Sequence, residues 1–199
     1  MRVDFLYVRH GETLFNVTER AQGWCDSPLT ERGLEQARAC ARRLAGERID
    51  RAFASPSGRA MDTAAIVCAG RGIAITPEPG LREMYFGTLE GARIGEDPRM
   101  YELWDARDYT PVGGESEEQL VRRIREAFAR MAGECEDGQQ VLVVSHRGYF
   151  LFVLEALFGW DLDELYERDP DVLDHIIPNA SVARFSWEDG VWKLGELPT

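Results

Sequence analysis

Residues 3–13 read Val3-Asp4-Phe5-Leu6-Tyr7-Val8-Arg9-His10-Gly11-Glu12-Thr13. The apolar, β-leaning run Val3–Val8 stops abruptly at Arg9-His10-Gly11, so a short strand hands the chain to a turn carrying a cation and an imidazole. The arrangement returns near the other end. There Val141–Val144 has the composition of a buried strand and runs into Ser145-His146-Arg147-Gly148, ahead of an apolar helix. Between them, Arg51–Ala54 is a further strand, and Ser55-Pro56 opens an alanine-rich helix towards Ala69. Its first turn, Ser55-Pro56-Ser57-Gly58-Arg59-Ala60, again carries an arginine.

The rest of the pattern fits these strand-to-turn units. Thr30 caps a helix through Leu34, Ala37, Ala41 and Leu44, which recur at helical spacing. Ile73–Thr76 is a third short strand. Ser116 and Gln119 have capping-box spacing ahead of Leu120, Ile124 and Phe128, the apolar stripe of a long helix. Asp189-Gly190 joins Ser181–Trp187 to Val191–Leu194 as a hairpin. Strands alternating with helices predict an α/β three-layer sandwich, a largely parallel central sheet with helices on both faces. No repeat or long linker interrupts the chain, so residues 1–199 are expected to form a single domain, with 77–114 irregular.

Composition narrows the function. With 199 residues, 44% hydrophobic and 29% charged, the chain is neither disordered nor collagen-like, and it is long enough to bury a core without disulfide or metal staples. Its apolar runs fall far short of a bilayer span, and Arg9-His10 comes too early for a signal peptide, so the cytoplasm is the expected compartment. Net charge is −12, from 35 acids against 23 bases, which argues against nucleic acid and anionic membrane as partners. Lys193 is the only lysine, excluding a lysine-dependent phosphate loop. Cys25, Cys40, Cys68 and Cys135 show no CxxC spacing and read as reduced, packed thiols.

In parallel α/β sheets, ligands collect beyond the carboxyl ends of strands, where His10 and His146 both sit. Arg9 and Arg59 offer planar, permanently charged forks suited to phosphate oxygens, and a helix start adds free backbone N–H groups. Three strand ends therefore converge on one positive, phosphate-sized site. A core role for His146 and a His10/His146 metal site are the competing readings; adjacent arginines, which would repel a cation, disfavour the metal.

At this point the chain resembles the histidine phosphatase superfamily, in its phosphoglycerate-mutase-like branch. The resemblance rests on Arg9-His10-Gly11-Glu12-Thr13 with Asn16, Gln22-Gly23-Trp24, Asp26-Ser27-Pro28-Leu29-Thr30 with Gly33, Gln36 and Ala37, then Ser55-Pro56, Arg59-Ala60 and Thr63-Ala64. It continues through Leu81-Arg82-Glu83, Phe86-Gly87, Glu90-Gly91, Gly114-Glu115-Ser116, Ser145-His146 with Gly148, and Asn179-Ala180-Ser181. It implies that His10 is the nucleophile that becomes phosphorylated. Arg9, Arg59 and His146 would clamp the phosphoryl oxygens, with Asn16 nearby and Gln22-Gly23 lining the entrance. Glu83 would donate the proton to the leaving oxygen. Glu12 is expected to order its loop, and His175 to be structural or exposed. No cofactor and no metal are expected, and the implied partner is a small phosphorylated metabolite. Arg147 departs from the pattern, because the family often has glycine after the second histidine. The sequence leaves it two directions, towards substrate or out to solvent.

The resemblance also separates a phosphatase from a mutase. Glycolytic mutases of the family are longer and carry extra basic residues after the catalytic glutamate. Aligned through Glu83 and Glu90-Gly91, the mutase tyrosine becomes Phe86, a lysine becomes Ile94, and paired arginines become Asp105-Ala106. These changes imply a phosphomonoester hydrolase. The alternatives are a phosphoglycerate mutase and a non-catalytic phospholigand-binding protein on the same fold. Substrate choice is expected to reside in segment 77–114.

Overall fold

The computed structural model describes residues 1–198. Six strands form one sheet: β1 (Arg2–Arg9), β2 (Arg51–Ala54), β3 (Ile75–Pro77), β4 (Gln139–Ser145), β5 (Val182–Glu188) and β6 (Val191–Leu194), in the order β3-β2-β4-β1-β5-β6. The first four run parallel, while β5 lies antiparallel to β1 and β6 antiparallel to β5. The helices are α1 (Leu14–Val17), α2 (Glu31–Arg43), α3 (Gly58–Cys68), α4 (Arg99–Asp105), α5 (Glu117–Gly133), α6 (Arg147–Phe158), α7 (Leu162–Arg168) and α8 (Val172–His175).

Strand alternation divides the core into two layers. Phe5 and Tyr7 of β1, with Val141 and Val143 of β4, pack on one face beneath Leu120, Ile124 and Phe128 of α5 and the apolar α6. Leu6, Val8, Leu142 and Val144 face the other way, beneath Cys40 of α2 and Ala60, Ala64 and Val67 of α3. This is the expected three-layer sandwich, and β1 and β4 are buried on both faces, as central parallel strands are. The caps hold too. Thr30 accepts from the Gly33 amide, and Ser116 and Gln119 form a reciprocal capping box.

Differences from the sequence reading fall at edges and short elements. The third strand is Ile75–Pro77 rather than Ile73–Thr76; as the sheet edge it tolerates Pro77, which has no N–H to give. The helix after Ser55-Pro56 begins at Gly58, with Ser57 at its N-cap. Segment 77–114 is a chain of 3₁₀ turns at Pro79–Leu81, Gly87–Leu89 and Thr110–Val112, interrupted by α4. All four cysteines are free, three of them buried.

The loop after β1 is pressed onto the start of α2. A methyl group on Gly33 would strike the Glu12 carbonyl, and one on Gly11 would strike the Gly33 carbonyl. Replacing a helical glycine by alanine ordinarily stabilises, by up to about 1 kcal/mol. Gly33→Ala is expected to reverse that sign and cost about 1–3 kcal/mol, as overpacking does. Urea unfolding checks this, and an alanine variant as stable as the parent would contradict the close approach.

Candidate active site

Strand register brings the site together. Arg9 pairs with Ser145 and Ala54 with Val144, so β1 and β4 end level and β2 ends one residue short of them. The residues that follow, His10, His146 and Ser55, leave adjacent strands side by side. The His10 amide donates to the Ser145 carbonyl at 3.0 Å, and the Ser55 amide to that of Val144 at 2.9 Å. The two imidazole centroids lie 5.3 Å apart, in an edge-on arrangement.

His10 is buried, and its Nδ1 lies 2.8 Å from the Gly11 carbonyl. A carbonyl oxygen only accepts, so Nδ1 carries the hydrogen and Nε2 keeps its lone pair. Burial first, then the charges of Arg59 and Arg9, hold its pKa well below that of an ordinary imidazole. The ring is therefore neutral, with the Nε2 lone pair held in a fixed direction. His146 is held low for similar reasons, burial leading and Arg59 next. Its Nε2 lies 2.8 Å from Ser55 Oγ, its Nδ1 is buried, and Tyr7 Oη donates to its carbonyl at 2.7 Å. A serine hydroxyl gives or takes a hydrogen, so Ser55 permits either tautomer of His146.

Arg9 and Arg59 are both buried. Arg9 donates from Nη1 to the Ile177 carbonyl, and burial pushes its pKa down to about 9, with Arg147 adding repulsion. Arg59 spends its terminal nitrogens on the loop at 22–26: Nη1 donates to Cys25 O and Asp26 Oδ1, Nη2 to Gln22 O and Gly23 O. Among the described residues, five buried side-chain polar atoms lack partners, and three are Arg9 Nε, Arg59 Nε and His146 Nδ1. Orphaned buried polar atoms are costly, so their concentration on these three residues points to a polar ligand.

Glu83 follows the 3₁₀ turn at Pro79–Leu81. Its Oε1 accepts from the Met84 amide at 3.0 Å and its Oε2 from the Gly148 amide at 2.9 Å, in the first turn of α6. Burial outweighs these bonds and the nearby Arg59 charge, and raises its pKa. A raised pKa suits a carboxyl that must hold a proton. Gly148 permits the approach, since a methyl there would sit 3.1 Å from Glu83 Oε1.

Arg9, His10, Asn16, Gln22, Glu83 and Arg147 all line one cavity of about 790 Å³. Arg59, His146 and Gly23 are not among its lining residues. Asn16 Oδ1 accepts from the Thr13 amide, and Gln22 Oε1 from the Thr13 hydroxyl. Arg147 turns towards the cavity and pairs with Asp174 of α8 at 3.1 Å. Glu12 orders its loop, accepting from the Thr30 hydroxyl at 2.8 Å. His175 is exposed beside Asp169.

Two contributors carried no assigned role in the sequence reading. Arg123 of α5 donates to the Gly80, Arg82 and Glu83 carbonyls and pairs with Glu115, fixing the backbone that presents Glu83. Asn179 lines the cavity and donates to the His10 carbonyl at 3.0 Å. Asn179 belonged to a quoted motif, whereas nothing sets Arg123 apart from Arg122, Arg125 or Arg130 in sequence.

A family model described as "Histidine phosphatase superfamily (branch 1)" matches residues 5–198. The chain belongs to that superfamily. Its relatives within the histidine phosphatases carry both mutase and phosphatase names. It is 33% identical over 191 residues to a protein of Yersinia pestis named "Probable phosphoglycerate mutase GpmB", covering 93% of this chain and 85% of that one. The structure of Bacillus stearothermophilus YhfR superposes with a TM-score of 0.85 at 30% identity, covering 97% of this chain and 95% of the other. The α-ribazole phosphatase of Shigella flexneri gives 0.83 at 27% identity, covering all of this chain and 96% of the other.

The tautomer and charge of His10 are directly measurable. In ¹⁵N spectra, His10 should be neutral with hydrogen on Nδ1 at about pH 6, where an ordinary imidazole is mostly protonated. A His10 signal titrating at the ordinary value would contradict the site described.

Proposed function

We propose that this chain is a phosphomonoester hydrolase working through a phosphohistidine at His10. The observation that carries the reading is the lone pair fixed on His10 Nε2 in the same cavity as a buried carboxyl, Glu83, whose pKa is raised. In the first step Nε2 forms a bond to phosphorus as the ester P–O bond breaks, and the Glu83 proton goes to the departing oxygen. In the second, water attacks phosphorus while Glu83 takes its proton, the P–Nε2 bond breaks, and inorganic phosphate leaves. Two displacements replace one harder one. The transition states are loose, so positioning and charge stabilisation do most of the work. Arg9, Arg59 and His146 are the groups for that role, and their unpartnered nitrogens support it. The scheme requires no metal.

A mutase is the second reading, favoured by the name of the Yersinia relative. Against it stand Phe86 and Ile94, which line the cavity where the mutase pattern has a tyrosine and a lysine. With 3-phosphoglycerate and bisphosphoglycerate, the chain is expected to release phosphate rather than form 2-phosphoglycerate.

Leaving-group chemistry tests the roles. Glu83→Gln should slow hydrolysis of an alkyl phosphate by about 10²–10⁴-fold, the usual worth of a general acid. Nitrophenolate departs without a proton, so with p-nitrophenyl phosphate the variant should give a burst of about one equivalent and then slow turnover. Equal slowing of both esters with no burst would leave Glu83 merely structural. No turnover of any ester by the parent chain would favour the non-catalytic phospholigand reading.

A further inference from the structure

We propose that the substrate body beyond the phosphoryl group is apolar and carries no second anion. This rests on the phosphatase reading and names its substrate class. The cavity's volume of about 790 Å³ falls in the range of pockets that enclose drug-sized molecules, so it takes a body of many atoms and not phosphate alone. Its wall mixes charged and apolar side chains, and Phe15, Ile94, Tyr101, Trp104 and Leu173 supply the apolar part. Ile94 and Tyr101 are 43% and 56% exposed, so apolar surface stands open to solvent at the cavity and is available to cover a ligand.

The charges of the cavity point the same way. A carboxylate or second phosphate needs a surplus of cation, and away from the phosphoryl clamp the lining has none: Arg20, Arg32 and Arg147 are matched by Glu12, Glu19 and Asp174. Arg147 is paired with Asp174 at 3.1 Å, and Arg32 with Glu12 at 3.7 Å. Arg20 donates from Nη1 to the Gly91 carbonyl, and its guanidinium lies 5.9 Å from the Phe15 ring centroid. Glu19 and Asp174 add carboxylates to the lining that repel a second anion. Arg9 is the exception, and it belongs to the phosphoryl clamp.

Esters of matched leaving group separate body from chemistry. Across ethyl, butyl and hexyl phosphate, kcat/KM should rise at least tenfold, within the ceiling of about fourfold per fully buried methylene. Hexyl phosphate should also exceed 3-phosphoglycerate. A flat series, or 3-phosphoglycerate as the better ester, overturns the inference while leaving the phosphatase reading intact. Binding gives a readout independent of turnover. By calorimetry, hexylphosphonate should bind at least tenfold more tightly than 3-phosphonopropionate, even if no ester is hydrolysed; equal or reversed affinities overturn the inference. Leu173→Ser should shrink that ratio, and Asp174→Asn, which releases Arg147, should tighten 3-phosphonopropionate selectively. Ratios unmoved by both substitutions would place the ligand body elsewhere and overturn the assignment of this wall.

Discussion

Everything at the site depends on three parallel strands ending within one residue of one another. The pairing of Arg9 with Ser145 and of Ala54 with Val144 sets His10, His146 and Ser55 side by side. A slip of one residue in either ladder would turn alternate side chains to the opposite face and carry one histidine away from the other. The constraint is enforced by burial. Phe5, Tyr7, Val141 and Val143 must face α5 and α6 while Leu6, Val8, Leu142 and Val144 face α2 and α3, so a slipped register would expose both layers.

Burial then sets the chemistry. Arg9, Arg59 and Glu83 are charged or chargeable groups taken out of water, and each such group costs stability unless partnered. Arg59 offsets part of that cost by holding the loop at 22–26, and Glu83 by accepting two backbone amides. The uncompensated part of that cost shows in what is not satisfied, namely one nitrogen on each of Arg9, Arg59 and His146. The same desolvation keeps His10 neutral and raises the pKa of Glu83, so one physical cause prepares both groups for the roles proposed for them. Proteins commonly accept such local instability at functional sites.

Much of this was legible in the chain itself, because it is local. Apolar runs ending at Arg9-His10 and Ser145-His146 marked the strands and the residues beyond them, and Thr30 and Ser116 announced their helices by side-chain spacing alone. What escaped is long-range. Arg123 resembles its arginine neighbours on α5, and only the fold brings it to the backbone around Glu83. Arg147 had two open directions until α8 placed Asp174 beside it. The short helices α4, α7 and α8 lack the length over which periodicity becomes visible. Gly33 read as a motif residue, while its reason, a carbonyl of Glu12 against its α-carbon, lies in a contact between segments far apart in sequence.

The central claim is a covalent bond from phosphorus to His10 Nε2, and trapping it is the most direct measurement. After millisecond mixing with a ³²P-labelled ester and quenching in alkali, the label should be protein-bound, lost in acid, and mapped by fragmentation to His10. His10→Ala should carry none. Label that survives acid, maps to another residue, or persists in His10→Ala would contradict the account.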